Sequence, residues 1–156
     1  MQRRDFVFGM PLLLASGSAL AHHGWSGFDE TRPLYLAGKV VEVEWQNPHA
    51  ELILQLNQPL AVPASLKSRT APAQSAGIDA GPIFARAVVP TRRDEKWEIE
   101  LSPLTRLSAW KVPEVKVGEE LELVGYTFAG EKGDAVLRAE YLIRGNTVTP
   151  LRSSPA

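Results

Sequence analysis

LYLAGKVVEVEWQNPHAELILQL, residues 34–56, contains two apolar alternations separated by one proline-containing break. In the first, Val41, Val43 and Trp45 point one way and Glu42 and Glu44 the other, the period of a half-buried strand. Gln46-Asn47-Pro48 interrupts it, because Pro48 has no amide hydrogen for a ladder and restricts the residue before it. A turn or bulge belongs there. His49 to Leu56 reads as a second strand with Ala50, Leu52, Leu54 and Leu56 on the core side, which leaves His49, Glu51, Ile53 and Gln55 on the other. His49 is thus expected to face outward at a strand end.

The alternation returns at Lys96 to Leu101, with Trp97, Ile99 and Leu101 inward. Ser102-Pro103 has the form of a helix start, with Ser102 as cap, and Leu104, Leu107 and Trp110 follow at helical spacing before Pro113. Glu119 to Phe128 and Asp134 to Ile143 read as a hairpin turned by Gly130 and Gly133, the second strand burying Leu137, Ala139, Tyr141 and Ile143. Strand, strand, strand, short helix, strand, strand is the order of the OB-fold, a five-stranded Greek-key barrel. The expected fold is therefore all-β with one short helix, an OB-like barrel over 34–145. A short meander or an open barrel would give the same strings.

Residues 57–94 break the pattern with Pro59, Pro63, Pro72, Pro82 and Pro90 among many Ala and Ser, and read as a long insertion, partly mobile. Within it IFARAVV, 83–89, is the candidate for an extra short strand. Residues 146–156 are expected to form a flexible tail.

The 156-residue chain suits one domain, and 17 basic against 18 acidic residues give no field for phosphates or anionic lipid. The outward positions of the strands carry Glu42, Glu44, Glu98, Glu100, Glu120 and Glu122, which weighs further against nucleic acid. Cysteine is absent, so disulfides, thiolate metal sites and cysteine nucleophiles are excluded. No Ser-His-Asp arrangement, nucleophile elbow or glycine-rich phosphate loop is present.

Residues 1–21, MQRRDFVFGMPLLLASGSALA, have a basic start, an apolar stretch and a small-residue ending, the layout of a cleavable export signal cut after Ala21. Arg3-Arg4-Asp5-Phe6 fits a twin-arginine signal, and a general secretory signal is the alternative. The apolar stretch is too short for a membrane span, and the mature chain offers none. The expected location is the periplasm or the exterior, with 22–33 as an N-terminal arm.

Cleavage there frees the α-amine of His22 beside its own imidazole. The two nitrogens can chelate one copper ion, and a further imidazole completes a nitrogen set of the kind Cu(II) favours. His49 is the third nitrogen in this expectation, with His23 competing for the place. An alternative set uses the amine, the intervening amide and His23. Glu51, on the face of His49, is the carboxylate placed to orient the imidazole. The opposing reading is that the adjacent histidines are only polar residues and His49 caps a strand.

Ala21-His22-His23, then Phe28-Asp29, then Glu44-Trp45-Gln46-Asn47-Pro48-His49, resembles a family of small exported bacterial proteins of unknown function that show A-H-H and E-x-W-x-N-P-H. Trp97-Glu98-Ile99-Glu100 and Gly118-Glu119-Glu120-Leu121 fit that family's later strands, so the likeness spans roughly residues 21–143. Gly24 stands where those proteins usually have Ser, and the 57–94 insertion is unusual among them. The resemblance implies export and a small β fold, and carries no activity. The functional expectation is a non-enzymatic metal-binding protein using His22, His23 and His49 with copper as its ion. A non-catalytic interaction module docking on a partner protein is the alternative, and a copper oxidase fits such a small barrel poorly.

Overall fold

The computed structural model describes residues 25–156, so the expected export signal and His22 and His23 lie outside the described residues. Five strands close a barrel: β1 (Leu34–Glu44), β2 (Glu51–Leu56), β3 (Lys96–Glu100), β4 (Glu120–Tyr126) and β5 (Val136–Arg144). The order is β3-β2-β1-β4-β5, and a short parallel contact between β3 and β5 shuts the ring. All other neighbours are antiparallel. This is the expected five-stranded Greek-key order, with helix α2 (Leu104–Ala109) between β3 and β4.

Burial follows the side-chain period of two. Ala50, Leu52, Leu54 and Leu56 of the second alternation are all buried, as are Trp97, Ile99 and Leu101. They meet Leu34, Leu36, Val40, Leu121, Leu123, Leu137, Ala139 and Leu142 in one core. Two bulges shift the expected faces. Pairing slips between Val40 and Glu42, so Val40 fills the core in place of Val41, while Val43 and Trp45 pack at its edge. A second slip between Val124 and Gly125 turns Tyr141 and Ile143 to the outer side of the barrel, where they are buried as expected but in a second core.

Those outward aromatic and aliphatic groups are covered by the insertion. Residues 64–68 form a 3-10 turn and Ala80–Arg86 form helix α1. The 83–89 stretch is thus mostly helix and not the extra strand suggested above. Asp79 caps α1 by accepting from the Gly81 amide at 3.0 Å, and Pro82 sits in its first turn. Leu66, Ile83 and Phe84 pack on Tyr35, Val124, Tyr141 and Ile143 as a second core, with Phe84 edge-on to Tyr141 at 4.9 Å. Arg69 binds Glu122 at 2.8 Å and Tyr35 donates to the same carboxylate, fastening the insertion to β4.

Where a flexible tail was expected from 146, a sixth strand β6 (Thr147–Pro150) pairs with β5, and Val148 and Leu151 are buried. Gly145, with φ 59°, occupies the first place of a two-residue hairpin turn that the Gly-Asn pair signals. Ser102, expected as the α2 cap, instead donates to the Leu151 carbonyl at 2.6 Å. The cap comes from Asn47, whose side chain accepts from the Leu104 amide at 3.3 Å.

Gly38 lies opposite the end of β2, and a Cβ there would collide with the Gln55 carbonyl. Gly38→Ala is expected to lower stability by about 2 kcal/mol or more, read from chemical denaturation. Phe84→Ala is expected to cost about 3 kcal/mol in the same measurement, since the insertion carries core; a loss near zero would mean that the second core contributes nothing.

Candidate metal centre

The outer face of β2 and β3 has a row structure set by register. Glu44 pairs with Glu51, Glu51 with Glu100, and Glu100 with Arg138 of β5. Arg138 Nε donates to Glu100 at 2.8 Å, and both side chains are nearly buried. His49 precedes this row at the start of β2. Its Nε2 lies 3.1 Å from Glu51 Oε1, and the side chains are only 14% and 15% exposed. The sequence expectation that these two share a face therefore holds, with His49 more enclosed than an outward strand end suggests.

The backbone around His49 is fixed from several sides. Asn47 is tied to α2 through the Leu104 amide, and the Ala50 amide donates to the Ser102 carbonyl at 3.2 Å. The imidazole lines a cleft of about 210 Å3 with Ser102, Arg106, Arg138 and Leu151. A separate groove of about 380 Å3, reached by Glu51 but not by His49, runs past Glu42, Glu44 and Glu98. Burial pushes the Glu98 carboxyl above its ordinary range, the charges of Glu51, Glu100 and Asp134 add to this, and His49 opposes it. Arg138 already neutralises Glu100, so the repulsion that remains on this face is chiefly that between Glu51 and Glu98, with His49 opposing it.

The arm touches this row at Phe28. The Phe28 ring lies under Arg138, the guanidinium carbon 4.7 Å from its centroid, and stacks on Phe128 at 4.8 Å. The Asp29 amide donates to the Thr127 carbonyl at 2.8 Å. Arg32 pairs with Glu131, whose carboxylate also accepts from the Thr91 and Arg92 amides at 2.9 Å. Phe28, Arg138, Glu100, Glu51 and His49 thus form a continuous path across the barrel.

Among the described residues, no group of three or more His, Cys, Asp or Glu is arranged to hold a metal. His49 and Glu51 are brought together; His22 and His23 lie outside the described residues. The sequence reading counted Glu100 among the outward carboxylates, whereas it is buried against Arg138, a residue that reading did not single out. The local sequence offers only a cation between the apolar Leu137 and Ala139; the partner of Arg138 is set by the long-range pairing of β5 with β3.

The loop carrying Glu131 gives a pH test of the arm's anchorage. Burial works to raise its pKa, but the Thr91 and Arg92 amides and Arg32 outweigh it and hold the carboxyl below its ordinary 4.5. A depressed folded-state pKa contributes stability that is complete above about pH 4.5 and is lost as pH falls through the folded value. Glu131→Gln is expected to destabilise by about 2 kcal/mol at neutral pH. The gap between the two proteins should narrow as melts are repeated at progressively lower pH, and a constant gap would contradict the assignment.

A family model described as "Family of unknown function (DUF6152)" matches residues 11–65, a stretch that takes in the arm, β1, β2 and His49. No curated protein and no solved structure matches the chain. Over its N-terminal third the chain is therefore similar to an uncharacterised family, and the assignment of a task rests on its own residues.

Proposed function

We propose that this chain is the precursor of a small exported β-barrel protein that binds copper, for metal handling or delivery. The ligands are the freed amine and imidazole of His22 together with His49, with His23 as alternate or additional ligand. The observation that carries the reading is the His49–Glu51 pair at 3.1 Å on the row where the arm is anchored. Metal-bound imidazoles usually have such a carboxylate beside them, which fixes the ring's orientation and raises its basicity. Trp25–Gly27 form a 3-10 turn, which rises only about 2 Å per residue, and the three residues from there back to His22 add about 10 Å when extended. Nitrogen donors suit Cu(II), and the repulsion between Glu51 and Glu98 is eased by a nearby cation.

Copper titration of protein beginning at His22 tests this directly, beside the same protein carrying one extra N-terminal residue. The extra residue is expected to weaken Cu(II) binding at least tenfold, and His49→Ala to do the same. Equal affinity in the two N-terminal forms removes the amine chelate, and an unchanged His49→Ala removes the third ligand. Protein that binds no copper in either form is better read as an interaction module for a partner protein.

A further inference from the structure

The N-terminal arm and the C-terminal segment meet at one side chain. Arg152 Nη2 lies 2.7 Å from Glu140 Oε2 and 3.1 Å from Glu30 Oε2, and its Nε donates to Glu140 at 2.9 Å. One partner belongs to the barrel and the other to the arm. Glu140 is fully buried at the bulge of β5, and its Oε1 has no hydrogen-bond partner among the described residues. A buried, half-satisfied carboxylate is a poor way to stabilise a barrel, because an apolar residue of similar volume would serve as well or better. It is a good way to hold a guanidinium in one place.

The residue before Arg152 is braced as firmly. The Leu151 amide donates to the Glu140 carbonyl at 2.9 Å, and the Leu151 carbonyl accepts from Ser102 at 2.6 Å and from Arg106 at 3.0 Å. Leu151, Ser102 and Arg106 line the cleft beside His49. Two consecutive residues of the tail are therefore placed between the proposed ligands: Leu151 lines the cleft of His49, and Arg152 holds Glu30 of the arm.

We infer that Arg152, held by Glu140, is a positioning residue that sets the N-terminal arm in register with His49. The inference rests on the copper reading. Arg152 makes no contact with the metal in this scheme; it acts through Glu30, eight residues beyond His22, by limiting where the arm starts. The loss of its hold leaves the chelate intact as a chemical group but raises the cost of bringing it to His49.

The test compares Glu140→Gln/Arg152→Gln, which removes the buried charges together, and Glu30→Gln, which cuts only the exposed arm side and keeps the barrel pair. Hydrogen exchange of the Asp29 amide reads arm docking without any metal, and Cu(II) titration reads the site. The double variant is expected to exchange Asp29 at least tenfold faster and to bind Cu(II) about fivefold more weakly. Glu30→Gln is expected to move both in the same direction by less, and it carries the test if the double variant does not fold. In protein with one extra N-terminal residue, where the amine no longer chelates, the same substitutions should change affinity less than twofold. Unchanged Asp29 exchange overturns the clamp, and faster exchange with unchanged affinity overturns its role at the site. An equal loss in the N-terminally extended protein means general destabilisation and also overturns it. If the unsubstituted protein binds no copper, the metal reading fails and takes the site role with it, while Asp29 exchange still decides whether Arg152 holds the arm.

Discussion

Arg138 and Glu100 meet across the seam where β5 closes on β3. The parallel contact there spans only Glu98 to Glu100 against Val136 to Arg138, the shortest strand pairing in the ring. An ion pair whose side chains are 12% and 5% exposed is costly to break from one side, since the survivor is left buried and uncompensated. Much of the molecule's organisation follows from this pair. With the seam closed, Trp97, Ile99 and Leu137 are sealed from water. Arg138 also offers its outer surface to Phe28, so the bond that shuts the barrel is the one on which the arm is laid.

The same geometry explains why the candidate site lies where it does. Register carries the row from Arg138 through Glu100 and Glu51, and the Asn47-Pro48 turn delivers His49 to its end. The loop is anchored to α2 by the side chain of Asn47, so a polar residue adjacent to the histidine has a structural task of its own. A motif that brings Asn, Pro and His together thus does two things: it caps a helix and sets an imidazole against a carboxylate.

The strands were legible because each is half-buried, and alternation is the direct imprint of one wet and one dry face. Ala50 to Leu56 and Trp97 to Leu101 fell where the pattern put them. The errors came where that premise fails. β5 is dry on both sides beyond its bulge, so the sequence marked Tyr141 and Ile143 correctly as buried but gave no sign that they join a second core. A bulge leaves no compositional trace, so the slip at Val41 was equally silent. Asp79 and Pro82 did mark a helix start, and Gly145-Asn146 a hairpin, but both were submerged in stretches whose overall composition spoke for loops. The His49–Glu51 pair was readable from spacing; Arg138 and Arg152 were not, because their roles arise from strand pairing and chain-end contacts that no local window contains.

The insertion has a kinetic side. It joins β2 to β3, so 39 residues separate two strands that a tight hairpin would join with two. Closing the longer loop costs about 2.5 kcal/mol more in chain entropy, at roughly 0.6 kcal/mol for each doubling. The apolar contacts of Leu66, Ile83 and Phe84 on β4 and β5 shorten the effective loop once formed. Docking of the insertion on β4 and β5 therefore favours the pairing of β2 with β3 at its ends, and the second core serves as a splint during assembly as well as a cover afterwards.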